Sequence, residues 1–205
     1  LMQVQLDLYH STQHPGSDAD TLQMIKMVTE QNDRLSKMVK TLLDLSEFQT
    51  VSRGEKIIVD ALVDEVLADL EPLAQEKDIT LIGKCESITM MGSDVLIYRL
   101  VYNLVENAIR YNHPGGQVTV TACRKEQKVC LSVSDTGSGI PENLRERVFE
   151  PFFRVDKSRS RELGGVGLGL ALAREIVRVH EGSITVRPNP SGGTIFDVTF
   201  TQGSI

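Results

Sequence analysis

Four of the six residues 164–169 are glycine, and an apolar helical pattern follows at residues 171–179. Glycine has no Cβ, so this backbone can adopt positive φ values and lie very close to a bound group. A helix that begins there offers unpaired N–H groups and the positive end of its dipole, which together favour an anion such as phosphate. The run matches neither the Walker loop nor the dinucleotide-binding fingerprint, and taken alone it also fits a flexible surface loop.

Polar side chains recur on one face of a helix predicted at residues 94–111. Asn103, Asn107 and Arg110 are spaced by four and three, which places them on one face, opposite an apolar stripe. Asn is a weak helix former, and Mg²⁺ prefers oxygen ligands such as amide carbonyls. The three side chains suit a clamp for a hydrated cation and phosphate, although an ordinary solvated helix face has the same pattern.

A predicted strand ends at Asp135, and Gly137 and Gly139 follow at alternate positions. A carboxylate held there could accept a hydrogen bond from the exocyclic amine of a base, while the glycine backbone packs close to the ring. The same pattern is common in simple turns, so both interpretations stay open.

Aromatic and basic residues fill the interval before the glycine run. Phe149, Phe152 and Phe153 are predicted to be packing anchors rather than ligand contacts. Residues 154–161 are polar and basic without an apolar face, which suits a mobile lid that folds its cations onto phosphates.

The remaining periodicities predict the elements that position these residues. Strands are predicted at residues 56–59, 79–83, 87–91, 117–124, 128–135, 183–187 and 194–201, and helices at 61–76, 94–111, 141–149 and 171–179. Asp60 and Ser93 are predicted N-caps. Strands of mixed connectivity interleaved with helices predict an α/β (α+β) sandwich, in which helices cover one face of a mixed sheet.

A longer helix predicted over residues 19–48 carries an apolar heptad seam at Met24, Val28, Gln31, Leu35, Met38, Leu42 and Leu45, interrupted only by the glutamine. Such a stripe needs a partner. We expect residues 1–50 to be a helical hairpin, truncated at its N-terminus, that pairs with a second copy as a four-helix bundle. The alternative is that this helix packs on the main domain. We expect the main domain to comprise residues 55–205.

Composition restricts the class of protein. The net charge of −6 argues against a nucleic-acid binder, and no apolar run approaches the ~18 residues that cross a bilayer, so the fragment is expected to be soluble. Cys85, Cys123 and Cys130 have no metal-binding spacing, and an odd count fits a reducing compartment.

Taken in order, residues 103–107, 135–139, 149–153 and 165–169 resemble the N, G1, F and G2 boxes of sensor histidine kinases. The resemblance covers about residues 55–200. It implies a Bergerat-type ATP-binding fold that uses ATP and Mg²⁺, preceded by part of a dimerisation and histidine phosphotransfer domain.

The resemblance also implies a role for each matching residue. Asn107 would ligate Mg²⁺ with Asn103 in support, and Asp135 would accept from the adenine amine. The other expected ATP contacts are Arg110, Tyr111, Gly137, Gly139, Ile140, Gly165, Gly167, Leu168, Gly169, Thr194 and the lid cations Lys157, Arg159 and Arg161.

The family's His-Glu-Leu-Arg-Thr-Pro type box is absent, since His10 and His14 stand near a turn and lack that context. The phosphoacceptor is therefore expected upstream of residue 1. The resemblance implies transfer of the ATP γ-phosphoryl to that histidine and then to a response-regulator aspartate, in a membrane-anchored homodimer with this part in the cytoplasm. The alternatives are an ATPase of the topoisomerase or mismatch-repair type, which has a glutamate base where Asn103 stands, and a non-catalytic nucleotide-sensing dimerisation module.

Overall fold

The computed structural model describes residues 51–155 and 167–201, together with residues 24–29, 32, 35, 36 and 39. Two compact units divide the chain, one ending at Asp44 and the other beginning at Leu45. The predicted domain limits, residues 1–50 and 55–205, stay predictions.

The described part of the second unit contains seven strands and three α-helices. In chain order they are β1 (Glu55–Ile58), α1 (Val59–Glu76), β2 (Thr80–Cys85), β3 (Thr89–Gly92), α2 (Asp94–Arg110), β4 (Gln117–Lys125), β5 (Lys128–Asp135), α3 (Gly169–Val179), β6 (Ser183–Pro188) and β7 (Thr194–Thr201). Single 3₁₀ turns lie at Glu142–Leu144 and Arg147–Phe149.

Five of the strands form one mixed sheet in the order β2-β4-β5-β7-β6. Strand β2 is parallel to β4, and the other neighbours are antiparallel. Strands β1 and β3 form a separate antiparallel pair. The predicted mixed sheet is therefore confirmed, and the end of β5 lies beside the start of β7.

The three helices pack against one face of this sheet, as predicted. Along β4, Val118, Val120 and Ala122 are buried, whereas the alternating Thr119 and Thr121 are only half-buried. This alternation is typical of a sheet with one covered face. The apolar stripes of the helices and the buried side chains of β4, β5 and β7 form a single hydrophobic cluster.

Of the two predicted N-caps, Asp60 is misplaced, whereas Ser93 holds the N-cap position without a side-chain hydrogen bond. Helix α1 begins at Val59, so Asp60 lies in its first turn and does not cap it. The first N–H of the helix, that of Val59, instead donates to the carbonyl of Ile88 at 3.0 Å. Ser93 does occupy the N-cap position of α2, but its side chain makes no capping hydrogen bond. Its backbone N–H donates to Nε2 of His180 at 3.0 Å.

The helix predicted at residues 141–149 is wrong, because the segment forms two separate 3₁₀ turns. Only Val148 and Phe149 in this segment are buried, so it lacks the apolar stripe that would hold a longer helix on the core.

In the first unit, all described residues are helical, in agreement with the predicted helix. The described seam residues Met24, Val28 and Leu35 are exposed by 64%, 39% and 59%. The rest of that helix, and the residues predicted to precede it in a hairpin, lie outside the described residues. No helix in the described part of the chain is long and apolar enough to cross a membrane.

Candidate functional site

Asp135 ends β5 and is only 6% exposed. Its Oδ1 atom accepts two backbone hydrogen bonds, from the N–H of Gly137 at 2.8 Å and from the N–H of Thr194 at 3.1 Å. Burial raises the pKa of this carboxyl, while the two hydrogen bonds act in the opposite direction. No described residue donates to Oδ2. Asp135 therefore presents one oriented acceptor to an incoming donor.

Glycines allow the chain to close tightly around this carboxylate. A Cβ added to Gly193 would lie 2.3 Å from the carbonyl oxygen of Asp135 and 2.5 Å from its Oδ1. A Cβ on Gly137 would lie 2.4 Å from the carbonyl oxygen of Tyr111. Any side chain at either position would collide with these oxygen atoms. The loop after β5, the start of β7 and the end of α2 are thus held together by backbone contacts.

Side-chain amides that the sequence reasoning missed support the same loop. Nδ2 of Asn189 donates to the carbonyl of Asp135 at 2.7 Å and to Oγ of Ser134 at 3.1 Å. Oγ1 of Thr136 accepts the N–H of Gln117 at 2.9 Å and lies 3.2 Å from Oδ1 of Asn112. The only signal in the sequence was that both Asn residues stand beside a turn, before Pro190 and after Tyr111.

The C-terminal end of α2 borders the site. Tyr111 follows the helix, is 39% exposed, and accepts the N–H of Ser138 on its carbonyl at 3.2 Å. Ile140 packs against the edge of the core. Gly139 also belongs to this group, since its Cβ would lie 3.4 Å from the carbonyl oxygen of Gly193. The predicted base-pocket residues are thereby brought together around Asp135.

The predicted polar face of α2 is half-buried, in contrast to the fully buried Val101, Leu104 and Ala108 behind it. Nδ2 of Asn103 donates to the carbonyl of Arg99 at 2.7 Å, so its Oδ1 is not used in that bond. The Asn107 side chain makes no hydrogen bond to any other described residue. Arg110 forms an ion pair with Glu106, with 2.8 Å between Nη2 and Oε1.

The start of α3 lies beside Asn103. A Cβ on Gly169, the first residue of α3, would lie 3.2 Å from Oδ1 of Asn103. The N-cap residue Leu168 is buried and cannot cap the helix with a polar side chain. The first N–H groups of α3 therefore have no side-chain cap, and they lie close to the amide oxygen of Asn103 in α2. Unpaired helix N–H groups of this kind favour an anion.

Aromatic residues anchor the glycine segment from the other side. Gly167, at φ 77°, accepts the N–H of Phe152 on its carbonyl at 2.9 Å. Phe149 is buried and packs edge-to-face on Phe196, and Phe153 packs against the core, so these two anchors are confirmed. Phe152 is 50% exposed, so its prediction as a packing anchor is wrong.

Arg154 belongs to the predicted basic segment, but it was not among the predicted ATP contacts. Its Nε and Nη2 atoms are buried and make no hydrogen bond within the described parts of the chain. A buried guanidinium donor without an acceptor is costly, so a ligand oxygen is the natural partner. The predicted contacts Lys157, Arg159, Arg161 and Gly165 lie outside the described residues.

Comparison with known proteins assigns the class. Residues 92–204 match the family described as Histidine kinase-, DNA gyrase B-, and HSP90-like ATPase. The chain belongs to this family, and its fold is the Bergerat-type ATP-binding fold predicted from the sequence.

Individual relatives narrow the class to sensor histidine kinases. RppB, a sensor histidine kinase of Synechocystis sp., is 37% identical over 180 residues, which cover 85% of this chain and 40% of RppB. The sensor-like histidine kinase SenX3 of Mycolicibacterium smegmatis is 34% identical over 193 residues, which cover 91% of this chain and 50% of SenX3. This chain thus spans half or less of the length of these two relatives.

A solved structure agrees with the sequence relatives. The catalytic domain of histidine kinase ThkA superimposes with a TM-score of 0.66 at 27% identity, covering 74% of this chain and 97% of that domain. The fold is therefore that of a histidine kinase catalytic domain.

Proposed function

We propose that this chain is the ATP-binding catalytic core of a sensor histidine kinase. The observation that carries the proposal is the carboxylate of Asp135, where Oδ1 is held by two backbone N–H groups while no described residue donates to Oδ2. An adenine amine is a donor of matching polarity. The glycine-rich start of α3 and the half-buried amides of α2 supply the complementary groups for phosphates and a cation.

The nucleotide would lie between the end of β5 and the start of α3. Its base would contact Asp135, Gly137, Gly139, Ile140 and Thr194, with Tyr111 beside the nucleoside. Its phosphates would contact Arg110, Arg154 and the backbone of Gly165, Gly167, Leu168 and Gly169, while Lys157, Arg159 and Arg161 would close from the lid. Support comes from the contacts around Asp135 and from the bare N-terminus of α3.

Mg²⁺ fits the donor set on α2. Asn107 has a half-buried amide with no partner among the described residues, and the Nδ2 bond of Asn103 to Arg99 leaves its Oδ1 beside the start of α3. Neutral amide oxygens suit Mg²⁺ that is shared with phosphates, because this ion rarely depends on an all-protein cage. The described residues contain no cluster of three His, Cys, Asp or Glu side chains that could hold a metal alone. Asn107 would be the ligand with Asn103 in support, and the ion would offset charge on the phosphates.

The reaction would be transfer of the ATP γ-phosphoryl group to an imidazole nitrogen of a histidine outside residues 1–205. Positioning and charge stabilisation provide most of the catalysis in such transfers. The phosphohistidine would then donate to an aspartate of a response regulator. The exposed seam at Met24, Val28 and Leu35 supports a homodimer formed through the helical region. We further propose a membrane-anchored full-length protein whose kinase portion is cytoplasmic.

An ATPase of the topoisomerase or mismatch-repair type is the second candidate. Those enzymes activate water with a glutamate at the position of Asn103. The amide of Asn103 cannot act as a base, and its Nδ2 is already bonded to the Arg99 carbonyl. This contact favours the kinase function over the ATPase function. A third candidate, a non-catalytic nucleotide-sensing dimerisation module, would bind nucleotide without transferring phosphate.

Mapping the phosphate in the full-length protein tests the proposal. After incubation with ATP, we expect acid-labile, base-stable phosphate on one histidine, which is none of His10, His14, His113 and His180. Rapid ATP hydrolysis without a phosphohistidine would favour the ATPase, and nucleotide binding with neither outcome would favour the sensing module. Phosphate on His10 or His14 would show that the acceptor histidine lies within residues 1–205 and that our assignment is wrong.

A further inference from the structure

Cys123 in β4 and Cys130 in β5 lie directly opposite each other across the hairpin. Both are half-buried, and neither is in a disulfide. Their chain neighbours Ala122 and Leu131 are buried against the helices. Because side chains alternate along a strand, both thiols point to the face of the sheet that the helices leave uncovered.

The spacing of this pair suits a disulfide. Directly opposed residues of antiparallel strands have Cα atoms about 4.5 to 5.5 Å apart. Disulfides require Cα atoms about 4.4 to 6.8 Å apart, so β4 and β5 need not separate or shift register. The two thiols are thus pre-positioned by the strand pairing itself.

The next pair along the same face is Lys125 opposite Lys128, which closes the hairpin. Both lysines are exposed. Like charges directly opposite each other in a sheet repel, and an anionic molecule bound nearby relieves that repulsion. The thiol pair therefore adjoins a small positively charged surface that attracts anionic reagents.

We propose that Cys123 and Cys130 form a reversible redox site that reacts with anionic low-molecular-weight disulfides such as oxidised glutathione. In the first step, the thiolate of one cysteine attacks a sulfur of oxidised glutathione and releases one glutathione thiolate. The opposed cysteine then attacks the mixed disulfide and releases the second glutathione. The two protein thiols lose two electrons and two protons, and one oxidised glutathione becomes two reduced molecules.

Thiol–disulfide exchange runs in both directions, so excess reduced glutathione reverses the reaction through the same mixed disulfide. The disulfide would close a loop that contains only residues 124–129, so it would constrain the unfolded chain little and add little to the stability of the fold.

Cys85 provides an internal comparison. It lies in β2, packs against the hydrophobic core, and has no opposed cysteine, since Ala122 is its register partner. Burial raises the pKa of its thiol, which lowers the fraction of reactive thiolate. Cys85 is therefore expected to react more slowly and to form no intramolecular disulfide.

Peptide mapping tests the proposal directly. The protein is exposed to defined ratios of oxidised and reduced glutathione, alkylated and digested with trypsin, which cuts between the two cysteines at Arg124, Lys125 and Lys128. We expect one disulfide that joins the Cys123 peptide to the Cys130 peptide and disappears in excess reduced glutathione. Cys123→Ser and Cys130→Ser should each leave stable glutathione on the remaining cysteine, whereas Cys85→Ser should leave the disulfide intact. Stable glutathione on both cysteines of the unmodified sequence, or unreacted thiols at both, would overturn the proposal.

The role of the lysines has its own test. The double variant Lys125→Gln, Lys128→Gln should react several-fold more slowly with oxidised glutathione and at an unchanged rate with the neutral bis(2-hydroxyethyl) disulfide. Equal slowing with both reagents would show that the variant perturbs the hairpin, and equal rates throughout would show that charge has no part. Either result would overturn the preference for anionic disulfides.

Discussion

Thr194 donates its backbone N–H to Oδ1 of Asp135 at 3.1 Å, although 59 residues separate the two in sequence. The bond joins the start of β7 to the end of β5. Together with the N–H of Gly137, it fixes the rotation of the carboxylate. The orientation of the acceptor Oδ2 is therefore built by the fold before any ligand arrives.

The substitution Asp135→Asn should weaken ATP binding without lowering the stability of the fold. The amide oxygen can keep both backbone hydrogen bonds, which turns an NH₂ group toward the adenine amine, so ATP affinity should fall roughly 10- to 100-fold. Burial raises the pKa of Asp135, which means that its charge is less favourable in the folded than in the unfolded state. The free energy of unfolding at neutral pH should therefore not decrease. Calorimetric titration and urea unfolding measure the two effects.

Asp197→Asn is the matched control, because Asp197 pairs with Arg187 on β6 and not with the site. It should leave ATP affinity unchanged. A purine triphosphate with a 6-oxo group should gain affinity relative to ATP in Asp135→Asn, since it offers an acceptor to the new NH₂. Unaltered ATP affinity in Asp135→Asn would contradict the assigned base pocket.

Gly193→Ala should destabilise the protein by about 2–4 kcal/mol, because the new methyl group collides with backbone oxygen and a φ of 89° is strained for alanine. Gly192→Ala is a close comparison, since its φ is 95° but no atom lies within 4 Å of the added Cβ. It should cost only about 1–2 kcal/mol, from backbone strain alone. Urea unfolding would measure both, and equal losses would refute the steric role of Gly193.

Asn107→Ala should weaken ATP binding about tenfold in the presence of Mg²⁺ and leave binding in excess chelator unchanged. The reason is that the amide oxygen contributes through the ion rather than through the base. Asn143→Ala, an exposed amide in the first 3₁₀ turn, should change neither measurement. An identical loss with and without Mg²⁺ would assign Asn107 to the nucleotide itself.

His180 should make stability depend on pH. Its Nε2 accepts the N–H of Ser93 and its Nδ1 lies 2.8 Å from the Ile176 carbonyl, an arrangement that needs the neutral ring. The pKa of His180 is lowered, chiefly by burial and further by Arg53, while the Ile176 contact acts in the opposite direction. The unfolded chain therefore takes up this proton first, and the free energy of unfolding should fall as pH drops below about 6.5.

Urea unfolding between pH 7.5 and 5.5 checks this prediction, with His180→Gln as the comparison. Glutamine can still accept the Ser93 N–H but does not titrate, so the slope in this window should become shallower. The same slope in both proteins would mean that another group is responsible.

Much of this fold could be predicted because apolar and polar residues alternate so regularly along the strands of its sheet. The hairpin of β4 and β5 was predicted to within one residue of its limits, since apolar residues alternate with threonine along β4 and with cysteine and serine along β5. The helical stripe of α2 predicted both its buried side and the half-buried side that carries Asn103 and Asn107. These are local periodicities, which do not depend on distant parts of the chain.

What escaped prediction depends on distant contacts. The start of α1 is satisfied by the Ile88 carbonyl and that of α2 by His180, which lies 87 residues from Ser93. No local capping rule could find either partner. In the same way, Gly193 lies between the strands predicted at residues 183–187 and 194–201, but its contact with Asp135 exists only after β5 and β7 pair. Arg154 was read as part of a basic segment, and only burial distinguishes it from its neighbours.

The position of β7 between β5 and β6 has a consequence for synthesis. The amide of Thr194 is synthesised 59 residues after Asp135, yet it orients the carboxylate that we assign to adenine. A nascent chain cannot assemble the base pocket until β7 has paired with β5. Nucleotide affinity would therefore distinguish chains that include β7 from chains that stop before it, and the shorter chains would lack the stabilisation that a bound ligand provides.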